Sequence, residues 1–69
     1  MSQHKVSVQT LEFPHEIHAL ANRLGGICAT EVISDRGITT SFAFELKTVA
    51  QQFIRAAHWY SEVEAIANV

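Results

Sequence analysis

The segment Phe13-Pro14-His15-Glu16-Ile17-His18 sets two imidazoles three residues apart with a carboxylate between them. Residues at that spacing are neighbours on a helix, so His15 and His18 could share an ion, and Asn22 falls on the same side one turn further on. An imidazole pair suits Zn²⁺ or Cu²⁺. A closed zinc site takes about four ligands and a catalytic one about three from the protein, and only two are local here. His4 and His58 are remote along the chain. The spacing also differs from His-Glu-x-x-His, whose histidines stand one position further apart. The simpler expectation is a solvated helix face, with metal binding by His15 and His18 plus a third ligand as the alternative and proton transfer by a histidine as a third reading.

The other reactive side chain is the single cysteine, Cys28, which precludes an internal disulfide. It lies between Ile27 and Ala29, and free cysteine is among the most buried residue types, so it is expected as a core thiol. A nucleophilic role would need an adjacent base or a helix N-terminus to lower its pKa. Gly25-Gly26 follows a helical segment rather than opening one, which removes it as a phosphate-binding loop. Ser34-Asp35 is turn chemistry.

The elements that must position these groups are legible from hydrophobic period. Lys5 to Leu11 alternates with period two, Val6 and Val8 toward the core, Ser7 and Gln9 away from it. Pro14 is expected to open a helix, in which Ile17, Leu20, Ala21 and Leu24 form a buried stripe, with His15, His18 and Asn22 pointing away from it. Gly25-Gly26 ends it. Ile27 to Ser34 reads as a second strand, joined through a bulged Asp35-Arg36-Gly37 loop to a third. The third strand sends Ile38, Thr40, Phe42, Phe44 and Leu46 to the core, and Thr39, Ser41, Ala43 and Glu45 to the other side. From Lys47 the period becomes helical, with Val49, Ala50, Phe53, Ile54, Ala57 and Tyr60 in one sector. Val63 to Val69 can supply a short last strand or extend the helix.

This order predicts an α+β fold of ferredoxin-like βαββαβ type: a single domain over residues 1–69, with a four-stranded antiparallel sheet and two helices on one face. The open face would show Ser7, Gln9, Thr39, Ser41 and Ala43, small side chains that a second sheet could cover. Order, length, Pro14 at the first strand-to-helix junction and Leu24-Gly25-Gly26-Ile27 together resemble the ACT family of small regulatory domains and, more distantly, heavy-metal-associated domains. The resemblance lies in the pattern. Phe13-Pro14-His15 keeps the proline of the ACT junction without its glycine, and the chain has no Cys-x-x-Cys pair. What the resemblance implies is a fold.

Composition narrows the function classes. Apolar residues are 48% and charged residues 17%, the balance of a folded chain. Chains this short commonly add a metal or a partner subunit to a thin core. A formal charge of −2 with five Lys and Arg disfavours nucleic acid, and Phe42 and Phe44 share the core parity rather than offering a stacking platform. Protonating all four histidines reverses the sign of that charge. No apolar run approaches the roughly 18 residues of a membrane span and the N-terminus lacks a signal-peptide core, so a reducing cytoplasm is expected. Trp59 falls opposite Val49 and Phe53, beside Gln52 and Arg55, where an aromatic with arginine marks an interface anchor; the alternative is that it folds back over the domain. The expectation is a small cytoplasmic binding or regulatory domain, a homodimer or the partner of another protein. Its contact surfaces would be the open sheet face and the Trp59 side. No cofactor is called for, Zn or Cu being the alternative, and a small-molecule ligand is compatible with this reading.

Overall fold

The computed structural model describes residues 3–68. The elements are β1 (His4–Thr10), α1 (His15–Arg23), β2 (Ile27–Ser34), β3 (Gly37–Phe44), α2 (Lys47–Ala57) and β4 (Val63–Asn68). The last residue of the expected final strand, Val69, and the first two residues of the N-terminal segment, Met1 and Ser2, lie outside the described residues.

The four strands form one antiparallel sheet in the order β2-β3-β1-β4. Since β1 and β2 both run antiparallel to β3, they are parallel to each other, and α1 joins them across β3. By the same logic α2 joins β3 to β4 across β1. The alternation of β1 turns Val6, Val8 and Thr10 to one side of the sheet, where β3 adds Thr40, Phe42 and Phe44. Onto this surface α1 lays Ile17, Leu20 and Ala21, and α2 lays Ala50, Phe53 and Ala57. One core therefore lies between both helices and one sheet face. Phe53 meets Phe42 edge-on, ring centroids 5.3 Å apart, and tilts against Phe44 at 5.1 Å.

Local chemistry sets the ends of the elements. The carbonyl of Pro14 accepts the first helical bond of α1, from His18 N–H at 3.0 Å. At the other end Gly25 has φ +81°, its N–H donates to Asn22 and that of Gly26 to Ala21, the paired bonds of a Schellman cap. In the β2–β3 hairpin, Asp35 and Arg36 make the turn and Gly37 takes φ +124° as the first residue of β3. A side chain at Gly37 would also run into the carbonyl of Thr10. Leu46 departs from its expected place in the core: β3 ends at Phe44, and Leu46 is the N-cap of α2, 62% exposed. Its carbonyl accepts the first helical bond, from Ala50, so it cannot also extend the strand.

Both edge strands carry one extra residue. The register of β2 against β3 shifts at Ala29, between Cys28 opposite Phe42 and Thr30 opposite Ser41. That of β4 against β1 shifts at Glu64, so Val63 opposite Thr10 and Ile66 opposite Val8 share the core side although three residues apart.

Candidate functional site

The face of the sheet away from the helices has Ser7 opposite Ser41, Gln9 opposite Thr39 and Lys5 opposite Ala43. Ser7 and Ser41 join through their hydroxyls at 2.9 Å. Around this floor β4 contributes Ala65 and Ala67. The edge strand β2 adds Ile27 beside Ala43 and Val32 beside Thr39, 65% and 59% exposed. These two apolar side chains lie on the open face on either side of the bulge. Glu45 follows the end of β3 and is not part of the sheet.

On α2 and the turn after it, Gln52, Arg55 and Trp59 are all exposed, Trp59 to 89%. The indole does not fold back over the domain. That cover comes from Tyr60, which packs against the core.

The two histidines of α1 differ in environment. His15 is exposed, whereas His18 is half-buried, its ring stacked on Phe13 at 4.9 Å and edge-on to Phe42 at 5.2 Å. His18 therefore departs from its expected place on a solvated face: it borders the core stripe, held between two aromatic rings. Phe13 also meets His15 edge-on at 4.6 Å.

What His18 faces is β2. Its Nε2 lies 3.4 Å from a carboxylate oxygen of Glu31, and the two side chains are 26% and 27% exposed. The contact has the length of an ion pair without the geometry of a hydrogen bond, and the buried Nε2 has no hydrogen-bond partner among the described residues. Cys28 completes the group: a ring nitrogen of His18, the sulfur of Cys28 and a carboxylate oxygen of Glu31 all lie within 4.8 Å of one another. His15 is not in it.

The bulge makes this convergence. Without the extra Ala29, strand alternation would send residues 28 and 31 to opposite faces. With it, Cys28 stands opposite Phe42 and Glu31 opposite Thr40, both on the helix side of the sheet. Cys28 is thus not the core thiol the sequence suggests but an exposed residue of an edge strand. Its thiol donates weakly to the Thr30 carbonyl at 3.8 Å. Local burial of the sulfur, and then the charge of Glu31, push the thiol pKa up. An open cleft of about 380 Å³ lined by His18, Asn22, Gly26, Cys28 and Phe42 adjoins the group.

Nitrogen, sulfur and oxygen donors together could hold a borderline-soft divalent cation. Of the histidine pair prominent in the sequence, one residue belongs to this group; Cys28 reads from the sequence as a core thiol rather than a ligand, and Glu31 does not stand out there as a site residue. The available signal was Glu31, the one charged residue in a strand otherwise built of small and β-branched residues.

Among the described residues no helix is long and apolar enough to cross a membrane. Comparison with protein-family models, curated proteins and solved structures gave no match to this chain.

Proposed function

We propose that the chain is a ferredoxin-like binding domain that acts through protein–protein contacts as a homodimer, one open sheet face against the other. Two interleaved strand–helix–strand units with both helices on one side support the fold reading. The observation that carries the function is the exposure of Ile27 and Val32 beside a floor of mostly Ser, Thr and Ala side chains, with Gln9 within it and Lys5 toward its end. Short side chains allow two sheets to approach to the roughly 10 Å spacing of stacked sheets. Each apolar side chain buried there contributes up to about 1.5–3 kcal/mol. A two-fold axis presents each patch to its copy. The Trp59 side, with Arg55 and Gln52, faces away from this contact and is left for a second protein partner.

Sedimentation equilibrium of the untagged chain tests the reading. The wild type should dimerise, and Val32→Lys should give a monomer with an unchanged far-ultraviolet circular dichroism spectrum. A wild type that is monomeric at every concentration, or a Val32→Lys variant that stays dimeric, overturns it.

A further inference from the structure

We propose that His18, Cys28 and Glu31 form a binding site for Zn²⁺, with the fourth coordination position open to the adjoining cleft. Three independent features converge on these residues. The first is the donor set. An imidazole nitrogen, a thiolate and a carboxylate are the ligand types of zinc, and three protein ligands with one open position is the arrangement of an accessible rather than a closed site. Calcium and magnesium would require oxygen ligands throughout. With Cys28 deprotonated and His18 neutral, the two anionic ligands balance the charge of a divalent cation.

The second is geometry. Zinc bonds of about 2.0–2.2 Å to nitrogen and oxygen and about 2.3 Å to sulfur, at tetrahedral angles, place ligand atoms roughly 3.4–3.6 Å apart. His18 Nε2 and the Glu31 carboxylate are already 3.4 Å apart, a separation that fits two ligands of one ion and serves neither as a hydrogen-bonded pair. The sulfur lies within 4.8 Å of both, so closing it onto the ion takes a contraction of about 1.3 Å at most. In that step the thiol proton leaves to solvent and the weak bond to the Thr30 carbonyl is given up.

The third is support. The imidazole is fixed between Phe13 and Phe42, which aims its unpartnered Nε2 at β2. The bulge at Ala29, itself a feature that often re-aims side chains beside functional sites, sets Cys28 and Glu31 on the same face as that nitrogen. The group lies on the helix side of the sheet, opposite the Ile27 and Val32 patch, so the site stands whether or not the chain dimerises.

The test is titration of the untagged, metal-free, reduced chain with Zn²⁺ followed by calorimetry, and with Co²⁺ followed by absorption. One ion should bind per chain, and Co²⁺ should give a thiolate-to-metal charge-transfer band. Cys28→Ser should abolish that band, and Cys28→Ser, His18→Ala and Glu31→Gln should each weaken Zn²⁺ binding by at least about tenfold. His15→Ala should bind as the wild type does. Because Cys28 and Glu31 are on an exposed edge strand, their variants should keep the fold, which circular dichroism checks. No stoichiometric binding by the wild type overturns the proposal. So does binding that survives both Cys28→Ser and Glu31→Gln, or loss of binding in His15→Ala at unchanged circular dichroism.

Discussion

Thr10 and Thr40 sit fully buried on neighbouring strands, and chemically identical side chains there have opposite consequences. Thr10 Oγ1 donates to the Glu12 carbonyl at 2.7 Å and so ties the end of β1 to the loop before α1. Thr40 Oγ1 has no partner among the described residues. A made hydrogen bond contributes about 1 kcal/mol, whereas an unsatisfied buried hydroxyl costs about 1–3 kcal/mol of desolvation. Thr40→Val should therefore stabilise the chain by about 1 kcal/mol and Thr10→Val should destabilise it by about as much, read as opposite shifts of the urea midpoint at unchanged slope. Equal shifts of the same sign would show that burial alone matters at both positions. Cys28 gives a second prediction at this scale. Burial and the Glu31 charge favour the neutral thiol, and the thiolate is the reactive form. Alkylation of metal-free protein should be slow at neutral pH, with the half-maximal rate reached above the ordinary thiol midpoint of 9.0. A half-maximal rate at or below that pH would contradict the direction of the shift.

Elements in this chain are held by their ends as much as by their faces. Gly25 closes α1 with φ +81°, and a side chain there would meet nothing within 4 Å, so its requirement is conformational alone. Gly25→Ala should cost about 1–2 kcal/mol in thermal or urea unfolding, the strain of a non-glycine residue in the left-handed region. A neutral substitution would mean that the cap relaxes to another geometry. Periodicity revealed the elements themselves because α1, α2, β1 and β3 each bury one side: Ile17, Leu20 and Ala21 are spaced for a helix, and Val6, Val8 and Thr10 for a strand. The edge strands were harder to read. All eight residues of β2 are exposed, so no burial pattern marks its inner side, and an inserted residue at Ala29 shifts the parity of everything before it. That shift hid the meeting of Cys28 and Glu31, since strand alternation places residues three apart on opposite faces. The fourth strand was ambiguous for a related reason: Val63 and Ile66 share a side at a spacing that suits a helix, and only pairing with β1 reveals the bulge at Glu64.

At the scale of the whole molecule, a chain of 69 residues has a thin core, and a bound ion adds stability by mass action. The three proposed ligands join α1 to the edge strand β2, which otherwise buries none of its residues and, among the described residues, pairs with β3 alone. An ion there would tie β2 to α1 on the helix side of the sheet, where the core gives that strand least support. With free Zn²⁺ at a hundred times its dissociation constant the gain is about 2.7 kcal/mol, and each kcal/mol moves the midpoint of a domain this small by about 4–8 °C. Zinc should therefore raise the thermal midpoint by roughly 10–20 °C. A chelator should reverse the rise, and Cys28→Ser should show none of it. Hydrogen exchange locates the effect: protection should increase in β2 and in the α1 segment around His18. A rise in midpoint without added protection in β2 would place the stabilising ion elsewhere on the surface.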